Sequence, residues 1–185
     1  MSRDSDTTFD TSWGPIASGY NDSMGDTGDY SHRQTIDPPL FELAGDVTGK
    51  AVYDVGCGNG YIARRMVREG ASEVWASDIS EEMVALAKTR YPSTGITYSV
   101  RDAARFDGIP TGHFDLVVMN MVIHLLADIE ALARGIHSLL KPGGRFVFST
   151  DHPLRYVAYK AIDAYDVDIV GEYEEYLTER PIKTY

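Results

Sequence analysis

The stretch K-A-V-Y-D-V-G-C-G-N-G-Y-I-A-R-R-M, Lys50 to Met66, decides the fold. Ala51 to Val55 is a short apolar run with β-branched residues and reads as a buried strand. Glycines follow at alternate positions, Gly56, Gly58 and Gly60, and then Ile62, Ala63, Met66 and Val67 recur at helical spacing. Strand, glycine turn and helix in that order form a cradle for a nucleotide-type cofactor. The backbone must turn sharply where a Cβ would clash, and the helix start points unpaired N–H groups at the ligand.

Two cofactor classes compete for this cradle. From Gly58 the run G-N-G-Y-I-A fits the dinucleotide fingerprint G-x-G-x-x-G/A. The strand ends at Val55, however, so that fingerprint begins late, and starting it at Gly56 puts Tyr61 where a glycine or alanine belongs. Asp54 at the strand end would also repel a pyrophosphate, whereas it suits a cofactor with an ammonium group and a sulfonium centre. In this stretch the sequence resembles the class I S-adenosylmethionine-dependent methyltransferases, whose first motif is (D/E)-x-G-x-G-x-G. Here the motif stands complete as Asp54-Val55-Gly56-Cys57-Gly58-Asn59-Gly60. The likeness extends over residues 20–150 and is closest to the small-molecule branch that holds the type 11 and quinone-biosynthesis methyltransferases.

Bulk properties narrow the partners. A chain of 185 residues with 43% hydrophobic content can bury a sizeable core. Its net charge is −11, unevenly spread. Residues 31–149 carry 14 of the 28 acids and 12 of the 17 bases, which leaves 14 acids against 5 bases on the flanks. An acidic surface repels phosphate backbones, so a nucleic acid partner is not expected. Cys57 is the one cysteine, which fits a reducing, cytoplasmic setting. The polar, acidic start does not read as a signal peptide. Leu116 to Ala127, the longest apolar stretch, is too short to span a bilayer and is broken by Asn120 and His124. No metal and no membrane are expected.

The remaining chain alternates strand and helix. Residues 1–35 read as a flexible arm capping residues 36–150, the cofactor-binding domain. Asp37-Pro38-Pro39 reads as a helix start with Asp37 as the cap. Strands are predicted at Glu73–Ile79, Ile96–Arg101, Phe114–Asn120 and Arg145–Thr150, and helices at Glu81–Tyr91, capped by Ser80, and Ala127–Leu140. Lys141-Pro142-Gly143-Gly144 closes the last helix. This order predicts a Rossmann-like, doubly wound α/β fold with a parallel sheet. Ligands of such sheets bind beyond the carboxyl ends of the strands, where Asp54, Asp78, Asp102 and Asn120 all fall. The resembling family adds a helix and two strands after the fifth strand. Residues 151–185, acidic and tyrosine-rich, show no such strand pair and read as a lid or tail, so the last strands of the usual seven are expected to be missing. Strand Arg145–Thr150 would then be a bare edge, to be covered by that tail or by a second copy in a homodimer.

Individual residues follow. Asp78, 18 residues beyond Gly60, can accept both hydroxyls of a ribose. The resemblance implies cofactor contacts at Asp54, Gly56, Cys57, Gly58, Asn59, Gly60, Asp78, Ile79, Met83 and Asn120, and Asp102 with Ala103 at the adenine. It also implies Arg33 near the cofactor's carboxylate, although a lone loop arginine reads equally as a surface residue. Tyr20, an aromatic in an otherwise polar arm, reads as packing over the cofactor site. Cys57 reads as a small packing residue rather than a nucleophile. His124, after the fourth strand, reads either as a general base or as a histidine satisfied at a helix start. The amino-methyltransferase signature (D/N/S)-P-P-(Y/F) is absent, since Met121 and Val122 follow Asn120. The resemblance thus implies methyl transfer from S-adenosylmethionine to a small molecule, yielding S-adenosylhomocysteine. The alternatives are an inactive cofactor-binding partner subunit and an NAD-dependent oxidoreductase.

Overall fold

The computed structural model describes residues 16–90 and 92–152. Five strands, β1 (Ala51–Val55), β2 (Glu73–Asp78), β3 (Ile96–Val100), β4 (Phe114–Asn120) and β5 (Leu140–Ser149), form one sheet in the order β3-β2-β1-β4-β5. Every pairing is parallel. The central strand β1 is buried along its whole length, as a strand covered on both faces must be. The order reverses between β1 and β4, and the glycine turn lies at that reversal.

The alternating side chains of β1 sort the core into two layers. Val52 packs with Val74, Leu116 and Val118 against α3 (Tyr61–Arg68), whose inward residues are Ile62, Ala63 and Met66, and α2 (Asp37–Ala44) joins the same layer. Tyr53 and Val55 face the other way, onto Phe114, Val117 and Met119, where Leu132, Ile136 and Leu139 of α5 (Ile129–Leu139) cover them. Each fully buried Val, Leu, Ile, Phe or Met side chain in these layers contributes roughly 1.5–3 kcal/mol. The two layers clamp β1 and so fix where the cradle stands.

Two local expectations are corrected. Asp37 does not cap a helix. A π-helical turn, His32–Ile36, runs straight into α2, and the Asp37 carboxylate accepts instead from the Tyr61 hydroxyl at 2.9 Å. The K-P-G-G run does not end a helix that reaches Leu140. Leu140 already pairs with Phe114, Arg145 pairs with Leu116, and the four residues between them form a bulge in β5. The α5 start also moves, because Asp128 caps it by accepting from the Ala131 N–H at 2.8 Å. Ser80 caps α4 (Glu81–Thr89) as predicted, accepting from the Met83 N–H at 3.2 Å.

Among the described residues β5 is a sheet edge, and its Phe148 is 45% exposed. The chain divides into units 1–150 and 151–185. The expected tyrosine-rich tail, beyond Asp151 and His152, and residues 1–15 of the arm lie outside the described residues. No described helix is long and apolar enough to cross a membrane.

Candidate cofactor cradle

All three glycines of the turn take positive φ: 75° at Gly56, 52° at Gly58 and 78° at Gly60. A Cβ on Gly56 would come within 2.4 Å of the Val122 side chain, and one on Gly60 within 2.5 Å of the Tyr98 hydroxyl. Gly58 differs. Its nearest neighbour would be the Tyr20 ring at 4.0 Å, so that backbone borders open space. The N–H groups of Gly56 and Cys57 both donate to the Ser77 carbonyl at 2.8 Å, pinning the turn to β2.

Asp54 ends up beneath this turn, 1% exposed, with neither carboxylate oxygen in a hydrogen bond. Burial pushes its pKa up to about 7, the Ala63 backbone pulls it back in part, and the Asp78 charge raises it further. Asp78 accepts from the Gly58 N–H at 2.8 Å with one oxygen and from the Ser80 N–H at 2.9 Å with the other. Burial still raises its pKa, ahead of those backbone donors. Burial drives the Cys57 thiol well above its ordinary range, so it is no nucleophile at neutral pH.

A segment N-terminal to the domain closes one side. Helix α1 (Ala17–Met24) is latched by Asn59, whose amide donates to the Asn21 side chain at 3.1 Å and the Gly25 carbonyl at 2.8 Å. Tyr20 on α1 overlies Gly58, and burial followed by the Asp29 and Asp78 charges pushes its hydroxyl up to about 12. On the opposite side Met121 adopts φ 57°, held by its N–H on the Ser149 hydroxyl at 2.9 Å. A non-glycine residue in that conformation stores strain of order 1 kcal/mol and re-aims the chain after β4.

A small cavity of about 30 Å³ collects Tyr20, His32, Asp54, Gly56, Cys57, Gly58, Asn59, Tyr61 and Asn120. A second cavity, about 430 Å³, lies past the ends of β2 and β3 and takes in Ile79 and Asp102. Asp78 stands between them through its bond to Gly58. Asp102 accepts from the Ala104 N–H at 2.8 Å, and Ala103 and Met83 are buried beside it and in α4 respectively. Gly60 is covered by Tyr98.

Two predicted residues stand elsewhere. The Arg33 guanidinium donates to the Gly28 carbonyl and lines a third cavity, of about 520 Å³, with Asp37, Tyr61, Arg65 and Arg68. His124 sits in a 3₁₀ turn, Ile123–Leu125, is exposed, lines none of these cavities, and among the described residues reaches only the Thr150 hydroxyl at 3.4 Å. The sequence reading passed over Tyr61, Asp37, Ser149, His32 and Asp29. The Tyr61 hydroxyl donates to Asp37 and accepts from the Asn120 amide at 2.8 Å, and Asn120 in turn accepts from Ser149. The pattern Asp29-Tyr30-Ser31-His32, an acid three residues before a histidine, was the available signal for the last pair.

Comparison with known proteins agrees with this geometry. The "Methyltransferase domain" family model matches residues 53–148. A ubiquinone biosynthesis O-methyltransferase of Xanthomonas oryzae pv. oryzae is 36% identical over 107 residues, which are 57% of this chain and 44% of that protein. An S-adenosylmethionine-dependent methyltransferase structure from Mesorhizobium loti is 40% identical, with a TM-score of 0.60, over 63% of this chain and 54% of that one. The structure of a DhpI-SAM-HEP complex is 26% identical, with a TM-score of 0.61, over 87% and 70%. The chain spans about half the length of the curated relatives it matches. With the cradle motif complete and the family model covering β1 to β5, the chain belongs to the methyltransferase domain family of class I S-adenosylmethionine-dependent methyltransferases.

Proposed function

We propose that the cradle binds S-adenosylmethionine and that the chain transfers its methyl group to a small-molecule acceptor, releasing S-adenosylhomocysteine. The observation that carries this reading is Asp54, a buried carboxylate with both oxygens unpartnered beneath a turn that leaves Gly58 open. Such a group is costly until a cation arrives. A cofactor with an ammonium and a sulfonium supplies that charge, whereas a pyrophosphate would add repulsion. The match to the methyltransferase domain family independently favours this reading over an NAD-dependent oxidoreductase.

When bound, the cofactor supplies an electrophilic methyl group, and the protein positions it and manages charge. Asp78 keeps a free lone pair on each oxygen after its backbone bonds, enough to accept two ribose hydroxyls. Asp102 and Ile79 border the cavity that suits the adenine, with Ala103 buried next to Asp102, and Tyr20 closes the site over Gly58. Aligning acceptor and methyl gains roughly 7–11 kcal/mol of effective proximity. The acidic flanks favour a small acceptor over a nucleic acid, and the ubiquinone O-methyltransferase likeness supports a hydroxyl as the accepting group. The buried lone cysteine supports a cytoplasmic setting, and the apolar β5 edge supports pairing with a second copy, readable by light scattering.

Calorimetry with S-adenosylmethionine, S-adenosylhomocysteine and NAD tests the cofactor, and a panel of phenols, amines, thiols and carboxylic acids tests the acceptor. Tight NAD binding with none of S-adenosylmethionine would overturn the proposal.

A further inference from the structure

We propose that His32, oriented by Asp29, is the general base that takes the proton from the methyl acceptor, in place of the exposed His124. The inference rests on the methyl-transfer reading above and adds to it the residue that moves the proton. His32 is 9% exposed and lines the same small cavity as Asp54, Gly56 and Asn120. Its Nδ1 meets the Asp29 carboxylate at 2.8 Å, and its backbone N–H meets the same oxygen at 2.9 Å. Two bonds from one residue to one oxygen fix both the turn and the ring. An imidazole that donates from Nδ1 to a carboxylate leaves Nε2 with its lone pair, the arrangement of an acid–base histidine. Nε2 has no hydrogen-bond partner and is not sealed from solvent among the described residues. The Tyr61 ring packs edge-on at 6.0 Å and holds the imidazole against rotation.

The titratable groups facing this ring are Asp29 on its own turn, Asp37 on α2, Tyr61 on α3, and Tyr20, Asp54 and Cys57 across the cavity. The imidazolium formed in the reaction carries the Asp29 carboxylate on its Nδ1. The step balances: the acceptor's X–H bond breaks, its proton goes to Nε2, and its electron pair forms the bond to the methyl carbon as that carbon leaves sulfur. His124 lines none of these cavities and has no carboxylate on its ring among the described residues.

Three measurements on the 185-residue chain test the assignment. Nitrogen-15 spectra of the ligand-free protein should find His32 protonated at Nδ1, with that tautomer lost in Asp29→Ala. Diethylpyrocarbonate should modify His32, by mass spectrometry, at least tenfold more slowly once S-adenosylhomocysteine is bound. Against the fastest acceptor of the panel, His32→Gln should lower kcat about 100-fold or more, remove the acidic limb of the pH–rate profile, and leave S-adenosylhomocysteine affinity within about twofold. An Nε2-protonated ring, an unprotected His32 in a chain that does bind S-adenosylhomocysteine, or unchanged kcat in His32→Gln would each overturn it. A tenfold loss of affinity in His32→Gln with kcat retained would reassign His32 to cofactor binding. Failure of the wild type to bind S-adenosylhomocysteine would overturn the cofactor reading, and this assignment with it.

Discussion

Asp54 sets the chemistry at the scale of one residue. Its carboxylate is closed in, and burial, only partly offset by the Ala63 backbone, raises its pKa to about 7 in the free protein. Asp54→Asn keeps the shape and removes the charge. The variant should unfold at a higher temperature than the wild type at pH 8, by about 2–4 °C for each kcal/mol relieved, and should bind S-adenosylmethionine at least tenfold more weakly. Thermal unfolding and calorimetry read the two effects separately, and a lowered midpoint with unchanged affinity would contradict both. Asp78→Ala acts differently. It strips the acceptor from the Gly58 and Ser80 N–H groups, so tenfold weaker cofactor binding should come with a loss of stability of about 1–3 kcal/mol. These two acids were legible in the sequence because each stands at a fixed offset from the glycines. The Asp37–Tyr61–Asn120–Ser149 chain and the position of His32 were not. They join positions 24, 59 and 29 residues apart, and no local spacing encodes a contact made across the sheet.

The element that couples these residues is the turn between β1 and α3. Gly56 faces the Val122 side chain just after β4, so the turn and the strained Met121 segment share one packing surface. Gly56→Ala would force a Cβ within 2.4 Å of Val122 at a φ of 75°. Destabilisation of about 1–3 kcal/mol follows from strain and overpacking together, measurable as a shift in the denaturant midpoint without a change in slope. A paired variant, Gly56→Ala with Val122→Ala, should recover the steric part and leave the part due to φ; no recovery at all would mean that Val122 is not the obstacle. Strands β1 and β4 could be bounded from their apolar runs, since a strand buried on both faces leaves a continuous signature. The β5 bulge could not, because K-P-G-G reads as a helix stop in isolation. Only the pairing of Leu140 with Phe114 turns it into part of a strand.

For the molecule as a whole, the buried acids predict how stability responds to pH. Asp54, Asp78 and Asp37 all have carboxyls raised by burial, against about 3.9 in an unfolded chain. Above pH 4 the unfolded state releases these protons while the native state still holds some, so the native state binds more of them. Stability must then fall as pH rises through that window, flattening above about 7, where Asp54 is ionised in both states. Asp29, Asp46, Glu73 and Asp115 are shifted the other way. Their contribution is complete above their unfolded pKa and is lost only as pH drops below about 4, so they are silent between pH 5 and 8. The net charge of −11 adds self-repulsion that also eases on acidification. The ligand-free protein should therefore melt several degrees higher at pH 5 than at pH 8 at fixed ionic strength. A cationic cofactor selects ionised Asp54, so its affinity should rise from pH 5 to 8 and saturating S-adenosylmethionine should shrink that difference by mass action. Asp54→Asn should flatten the ligand-free pH dependence and remove the pH dependence of affinity. Melting temperatures that climb from pH 5 to pH 8 in the ligand-free wild type, with the same slope in Asp54→Asn, would show that the carboxylate beneath the cradle is not the group that links folding to cofactor binding.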